Sequence, residues 1–252
     1  MNEVNFVISG GGSRAIYAAG IVKCFLEFDI KLNSISAVSG GSVVGAMLAF
    51  GYEPDKILSI LKKIKFQKIT KLKLKKGIFS PERFLPILDD IFEHKNISYF
   101  GDKFFVWAID LETSELVQLC DIKISDAILA SCSIYPVFCP YEIGSKSYID
   151  GGFKNSLPAE PFAKSNLVTI GVNLNPKISI SYKSLSLKRL IYTMFYESID
   201  LRKKLCDFVF ESPKLNSYSI FDTAHFDEMF ELGYMEAKNE IFKIKEILNE
   251  SK

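Results

Sequence analysis

The chain has 252 residues, of which 48% are hydrophobic and 24% are charged. This composition is typical of a globular protein and excludes the collagen-like, disordered and disulfide-rich classes. The 31 basic and 30 acidic residues leave a formal net charge of +1, so no overall field attracts nucleic acid or an acidic membrane. We therefore expect no nucleic-acid partner, and any membrane contact has to come from a local patch.

The five cysteines are scattered and form no Cys-x-x-Cys pair, and the chain has only two histidines. This pattern argues against a zinc site or a disulfide framework and fits a reducing compartment. The first residues show neither a basic n-region nor a long apolar h-region, so we expect no signal peptide and a cytoplasmic location. We expect neither a metal nor a cofactor.

Predicted strands and helices alternate along the chain, separated by glycines and small polar residues. We predict strands over residues 4–9, 34–38, 104–109, 116–119 and 167–172, and a hairpin over residues 141–149. We predict helices over residues 16–28, 43–50, 81–93, 126–130, 185–208 and 226–248, with Ser80 and Ser125 as N-caps. This alternation indicates an α/β fold with a mainly parallel sheet. No repeat or linker interrupts the pattern, so we expect a single domain over residues 1–252.

The first candidate site is a turn between the first strand and the first helix, formed by Gly10, Gly11, Gly12, Ser13 and Arg14. Glycines let the backbone approach a ligand closely, and the following helix start supplies free N–H groups. Such a turn stabilises a phosphate or a developing oxyanion. The alternatives are a plain strand-to-helix turn and a dinucleotide site. The dinucleotide site requires an acidic residue at the end of the second strand, where this chain has a serine.

That serine, Ser39, lies between a predicted strand and a predicted helix, and Gly40 and Gly41 follow it. A serine with small neighbours in this position is typical of a nucleophile elbow, a strained turn that presents the hydroxyl. The N–H group of Gly40 would then lie near the same oxygen. Ser42 is a second candidate nucleophile, and an ordinary helix N-cap is the structural alternative for Ser39.

A serine at its ordinary pKa is a poor nucleophile and needs a positioned base. Asp150 is one candidate, because it ends a predicted strand and is followed by Gly151 and Gly152, which leave the carboxylate accessible. An ordinary Asp-Gly-Gly turn is its structural alternative. The rival base is His225, since Ser39, Asp150 and His225 follow the chain order of α/β-hydrolases. Against that triad, only one predicted strand precedes the elbow, and His225 has no diagnostic neighbours.

Together these segments resemble the patatin-like phospholipase family. The resemblance rests on the glycine turn, on the Ser39 elbow, and on residues 150–158, an Asp-Gly-Gly box with a downstream Asn and Pro. Secondary matches lie at residues 110–113 and 130–138, and the likeness runs from about Phe6 to at least Pro161. Ala15 and Ala37 stand where many members have glycine, and Ala37 is expected to make the elbow turn costlier.

The resemblance implies a three-layer α/β/α sandwich and a serine acyl hydrolase that cleaves carboxylic ester bonds of lipids or phospholipids without a cofactor. It implies a Ser39–Asp150 catalytic dyad. The remaining implied residues are an oxyanion hole at Gly10, Gly11, Gly12, Ser13 and Gly40, with Arg14, Gly151 and Gly152 in the loops around the substrate. Arg14 would orient the loop or neutralise a phosphate head group, and a structural salt bridge is the alternative. The other functional hypotheses are a triad esterase that uses His225 and a non-catalytic lipid-binding module.

A basic segment that starts at Lys62 and ends at Lys76 holds eight lysines and no acidic residue, interleaved with apolar side chains. Such a segment can dock on an anionic membrane, where each lysine contributes about 1 kcal/mol near the surface. The alternative is a solvated helix-and-loop face. The resemblance implies a lipid substrate, and a lipid hydrolase has to reach a lipid surface, so we predict a peripheral membrane contact through this segment.

Overall fold

The computed structural model describes residues 2–64, 79–177 and 198–250. Within these ranges, eight strands form one sheet, in the order β5-β6-β3-β2-β1-β7-β8, with β4 paired to β3. The strands are β1 (Glu3–Ile8), β2 (Lys31–Val38), β3 (Phe104–Asp110), β4 (Glu115–Gln118), β5 (Tyr141–Ile143), β6 (Lys146–Asp150), β7 (Thr169–Asn173) and β8 (Phe208–Glu211).

The sheet is mainly parallel, as the sequence predicts. Strands β3, β2, β1, β7 and β8 pair in parallel, whereas β4, β5 and β6 add an antiparallel region at the β3 side. Strand β1 lies at the centre and is buried on both faces, which explains its nearly continuous apolar sequence. Successive side chains point to opposite faces, so Phe6 and Ile8 enter the larger core cluster while Val7 enters a second, smaller one.

Helices cover the sheet, and the predicted α/β/α sandwich is confirmed. The α-helices whose ends lie within the described ranges are α1 (Ile16–Glu27), α2 (Gly40–Ala49), α3 (Pro54–Lys63), α4 (Leu85–Ile91), α5 (Ile124–Ser131) and α6 (Phe226–Glu250). The larger core cluster includes residues of α1, α2 and α6. The smaller cluster on the opposite face is closed by Leu157, Phe162 and Ile199, and residues 198–203 are helical.

Helices α1 and α6 approach so closely that glycine is required at their contact. A Cβ atom on Gly20 would lie 1.9 Å from the carbonyl oxygen of Phe230, and one on Gly233 would lie 2.0 Å from the carbonyl oxygen of Tyr17. The Tyr17 hydroxyl also donates a hydrogen bond to Glu236, at 2.5 Å. The C-terminal helix therefore packs directly on the helix that follows the glycine turn.

Several predicted elements need correction. Residues 81–84 form a 3₁₀ turn, and α4 begins only at Leu85. Ser125 is the second residue of α5 and not its N-cap, and its hydroxyl donates to Asp89 Oδ1 at 2.5 Å. The helix predicted over residues 185–208 lies largely outside the described residues. Its predicted end is wrong, because Phe208 begins β8 and pairs with β7. Helix α3 and strand β8 were not predicted.

None of the helices in the described ranges is both long and apolar enough to cross a membrane. Most of the basic segment lies outside the described residues. Lys62 and Lys63 form the last turn of α3, and Lys62 makes a 2.6 Å salt bridge with Asp227 at the start of α6.

Candidate active site

The strand register places Ser39 and Asp150 at the same level of the sheet. Val38 at the end of β2 is paired with Trp107 of β3, and Asp150 at the end of β6 is paired with Ala108 of β3. Ser39 and Asp150 therefore flank Ala108 from either side. Two interstrand spacings correspond to about 10 Å between their backbones, a gap that two side chains can close.

Ser39 occupies a strained turn, as the elbow hypothesis predicts. Its backbone has φ 54° and ψ −139°, a left-handed region that costs about 1–3 kcal/mol for a residue other than glycine. Although Ser39 precedes α2, its side chain makes no capping hydrogen bond, so the N-cap alternative does not describe its hydroxyl. The hydroxyl of Ser42, the second candidate nucleophile, donates to the Ser39 carbonyl oxygen at 2.6 Å.

Ser131 holds the strained turn in place. Its hydroxyl accepts a 2.8 Å hydrogen bond from the Ser39 N–H group and donates a 2.7 Å bond to the Trp107 carbonyl oxygen. A buried hydroxyl that donates and accepts in this way satisfies two backbone groups at once. Helix α5 thereby fixes the backbone of Ser39 against strand β3.

The Asp150 carboxyl is completely buried, and burial is the main reason that its pKa rises to about 7. Two neighbours oppose that rise, namely the Ser39 hydroxyl and the Gly152 N–H group, which donates to Asp150 Oδ1 at 2.8 Å. Asp150 Oδ2 has no hydrogen bond of normal geometry to any described residue. The Ser39 hydroxyl is therefore close enough to influence the carboxyl, but the two groups do not form a fully aligned hydrogen bond. Catalytic hydrogen bonds are often long before substrate binds.

The glycine turn packs backbone to backbone against the start of α2. A Cβ atom on Gly40 would lie 2.4–2.6 Å from the backbone of Gly12, so no larger residue fits there. Gly12 itself has φ 59°, a conformation that favours glycine. A Cβ atom on Gly10 would lie 3.2 Å from Ser39 Cβ. The three glycines thus bring the turn into direct contact with Ser39.

The hydrogen bonds of this turn narrow the set of available N–H donors. The Gly10 N–H group donates to the Ser156 carbonyl oxygen at 3.1 Å, and the Ser13 N–H group donates to the Ile220 carbonyl oxygen at 2.8 Å. Both were predicted as oxyanion donors, but both are engaged within the protein. The N–H groups of Gly11, Gly12 and Gly40 donate to no residue in the part of the chain that the structure describes.

Arg14 is buried and organises the same turn. Its guanidinium donates to the Tyr218 carbonyl oxygen at 2.9 and 2.5 Å and to the Leu174 carbonyl oxygen at 3.1 Å. Because the side chain is only 5% exposed, it faces protein and not a solvated head group. The interpretation that Arg14 orients the loop fits this geometry better than contact with a phosphate.

Ser39 lies at the wall of a cavity of about 400 Å³. Among the residues that the structure describes, the lining is almost entirely apolar and includes no charged side chain. It comes from the glycine turn and the start of α1, from α2, from the end of α3, from residues 79–88, from α5 and the loop after it, and from residues 220–226. Cys132 also lines it, but burial and the charge of Asp150 raise the pKa of this thiol, so it stays protonated. The cavity suits a flexible apolar chain.

His225 is not positioned as the base of a triad. Its Nδ1 atom lies 2.8 Å from both carboxylate oxygens of Asp222, and this contact raises the pKa of the imidazole. The side chain is about half exposed and does not line the cavity. His94 lies 3.3 Å from Asp89 and is also exposed. The triad hypothesis therefore lacks an assembled Ser39–His225–Asp150 arrangement.

A family model described as patatin-like phospholipase matches residues 6–163, which is more than half of the chain. The chain belongs to the patatin-like phospholipase family. The matched range agrees with the span over which the sequence resembles this family, and it contains the glycine turn, the Ser39 elbow and the Asp150 box. Membership in a patatin-like phospholipase family supports a lipid hydrolase activity.

Known relatives of this family member share modest identity with it. The uncharacterized protein YqhO of Bacillus subtilis is 24% identical over 209 residues, which cover 69% of this chain and 72% of YqhO. Lysophospholipase NTE1 of Debaryomyces hansenii is 24% identical over 290 residues, covering 94% of this chain but 18% of that protein. The crystal structure of VipD from Legionella pneumophila superposes with a TM-score of 0.61 at 12% identity, over 95% of this chain and 66% of VipD, and supports the fold.

Two features of this patatin-like site were not predicted. Ser131 lies in the segment 130–138, which already matched the family pattern, so its position was a usable signal although its contact with Ser39 was not. The residues 218–223 that brace the glycine turn and line the cavity lie beyond the matched range, and no motif marks them. Their role depends on how α6 packs, which a local pattern does not contain.

Proposed function

We propose that this chain is a serine lipid acyl hydrolase in which Ser39 is the nucleophile and Asp150 is the base. One observation carries the proposal: a serine with a strained backbone, whose hydroxyl caps no helix, lies beside a buried carboxyl at the wall of an apolar cavity. A base with a pKa of about 7 is suited to exchange protons near neutral pH.

In the proposed acylation, the Ser39 hydroxyl attacks the ester carbonyl carbon and its proton passes to Asp150. The tetrahedral intermediate collapses to an acyl-Ser39 ester, and the leaving alcohol takes the proton from Asp150. Water then attacks the acyl-Ser39 ester with Asp150 as the base, and the fatty acid leaves. The scheme uses no metal or cofactor.

We assign the oxyanion hole to the N–H groups of Gly11, Gly12 and Gly40, because these three donate to no described residue. They lie in the glycine turn and at the start of α2, whose backbones are in close contact. The start of α2 also adds the positive end of its helix dipole. The loss of one such donor typically lowers kcat by about 10²–10³-fold.

The apolar cavity holds the acyl chain in this proposal, and the head group lies outside it. The described residues of the lining carry no charged side chain, so they offer no ion-pairing partner to a phosphate or to a quaternary ammonium. The proposed substrates are therefore carboxylic esters with one apolar chain to bury, as in phospholipids, lysophospholipids and simple esters. A cytoplasmic location and a peripheral membrane contact through residues 62–76 remain predictions.

A fluorophosphonate probe tests the nucleophile. We expect the probe to label the wild type at Ser39 and to leave Ser39→Ala unlabelled, while Ser125→Ala, which removes a buried hydroxyl outside the cavity lining, is labelled normally. Turnover of a lipid extract, followed by mass spectrometry, tests the base. We expect release of fatty acid by the wild type and none by Asp150→Ala. Labelling at another residue, or full turnover by Asp150→Ala, would refute the proposal.

A further inference from the structure

Ser156 places an unused hydroxyl beside the candidate active site. The residue is completely buried, and its Oγ atom makes no hydrogen bond to any described residue. Buried hydroxyls are normally hydrogen-bonded, because an unpaired one costs free energy. Ser156 is not part of the strained elbow, so its unpartnered buried hydroxyl calls for a functional explanation.

The backbone of Ser156 is held by hydrogen bonds through both its carbonyl oxygen and its N–H group. Its carbonyl oxygen accepts the Gly10 N–H group at 3.1 Å, and its own N–H group donates to Ser198 Oγ at 2.7 Å. Pro158 and Asn155 flank this segment, and the Asn155 side chain accepts the Leu157 N–H group at 3.2 Å. These bonds fix Ser156 against the glycine turn.

The hydroxyl of Ser156 and that of Ser39 lie on the same side of Gly10. A Cβ atom on Gly10 would lie 3.3 Å from Ser156 Oγ and 3.8 Å from Ser39 Oγ. Because Gly10 has no side chain, both hydroxyls approach the same point beside its Cα atom. Asp150 Oδ2 is the other unpartnered buried oxygen of this region. It belongs to the carboxyl whose pKa the nearby Ser39 hydroxyl lowers.

We propose that the Ser156 hydroxyl and Asp150 Oδ2 together hold the water molecule that hydrolyses the acyl-Ser39 ester. This inference rests on the proposed function. A water bound between a hydroxyl and a carboxylate donates to the carboxylate and accepts from the hydroxyl, which turns one lone pair toward the ester. Ser156 is then a residue of the second step, because acylation requires no water.

The step balances with the groups named. The water oxygen forms a bond to the ester carbonyl carbon while one water proton passes to Asp150 Oδ2. The bond between that carbon and Ser39 Oγ then breaks, and Ser39 Oγ takes the proton back from Asp150. The fatty acid leaves, and the dyad returns to its starting state.

The test separates the two steps in Ser156→Ala. The variant and the wild type are mixed rapidly with p-nitrophenyl butyrate, and the release of p-nitrophenol and the mass of the acid-quenched protein are followed together. We expect the first turnover of p-nitrophenol release to keep its rate, steady-state turnover to fall about tenfold, and acyl-enzyme to accumulate. Fluorophosphonate labelling of Ser39 should proceed at the wild-type rate, and Ser125→Ala should match the wild type throughout.

Other outcomes overturn the inference. Equal losses in labelling and in turnover would mean that Ser156 only supports the shape of the elbow. Unchanged turnover without accumulation of acyl-enzyme would mean that the water is held elsewhere. A wild type that reacts with neither reagent would overturn the proposed function, and this inference with it.

Discussion

Replacement of Asp150 by Asn separates the stability cost of the site from its chemistry. The Asp150 carboxyl is completely buried in the folded protein, where its pKa is about 7, against 3.8 as the ordinary value. Between those two values the folded state binds more protons than the unfolded chain, so the free energy of unfolding falls as the pH rises. A difference of about three pKa units corresponds to roughly 4 kcal/mol at pH 8.

An asparagine carries no charge at any of these pH values and keeps an acceptor for the Gly152 N–H group. We therefore expect Asp150→Asn to be more stable than the wild type at pH 8, by up to roughly 4 kcal/mol, although inactive. The gain should shrink as the pH falls, by about 1.4 kcal/mol per unit between pH 7 and pH 5. Urea denaturation followed by circular dichroism at four or five pH values measures this difference.

Asp110→Asn is the matched control. Asp110 is also buried, but Lys146 at 3.0 Å and the N–H groups of Glu112 and Thr113 hold its pKa below the ordinary value. A lowered pKa stabilises the folded state above the unfolded pKa, so this variant should lose stability by an amount that stays constant from pH 5 to pH 8. A gain for Asp150→Asn that does not grow with pH would refute the assignment of a buried, raised-pKa carboxyl.

Four further outcomes follow from the site. The wild-type kcat/KM should rise with pH to a plateau with an apparent pKa near 7, falling about tenfold per unit below it, because Asp150 must be ionised to act as the base. Gly40→Ala should lower kcat by about a hundredfold or more, since its Cβ atom would overlap the Gly12 backbone and move an oxyanion donor. Val43→Phe should shift the ratio of kcat/KM values toward short-chain p-nitrophenyl esters, because Val43 lines the cavity. His225→Ala should keep nearly full activity on the same esters, and loss of activity in this variant would support the triad hypothesis instead.

The first third of the fold was predictable because each of its signals is local. The run of apolar residues before Gly10, the helical periodicity after it and the small residues around Ser39 each specify one element, and the structure places β1, α1, β2 and α2 accordingly. The strand predicted over residues 34–38 lies within β2, and the helix predicted over residues 43–50 overlaps α2.

The failures share a different cause, which is tertiary context. Phe208 continues an apolar helical pattern in the sequence, but residues Phe208–Glu211 instead pair with β7 and complete the sheet. Pairing along a sheet edge is non-local, so no window around Phe208 contains it. Ser125 likewise has the sequence of an N-cap, yet its hydroxyl finds Asp89 from another helix.

The same distinction divides the candidate site. Ser39 and Asp150 could be named as candidates from the sequence because each lies in a motif that a strand end and neighbouring glycines define. The apolar cavity was not identifiable, since its lining comes from several separate segments that share no pattern. Gly233, which allows α6 to approach α1 and thereby brings residues 218–223 over the glycine turn, has no meaning until both helices are in place.

Two residues at strand ends, Ser39 and Asp150, lower the free energy of unfolding of this protein. Ser39 adopts a strained backbone worth about 1–3 kcal/mol, and the ionised Asp150 costs roughly 4 kcal/mol more at pH 8. Neither the strained backbone of Ser39 nor the burial of Asp150 would persist unless neighbouring groups enforced it. The Ser131 hydroxyl holds the elbow, and tight packing leaves Gly40 no alternative position. A loosened site would expose Asp150 to bulk solvent, which would lower its pKa and weaken it as the proposed base. Stabilising the Asp150 carboxylate should therefore reduce activity, because the burial that destabilises the folded protein is the same burial that gives Asp150 its basicity.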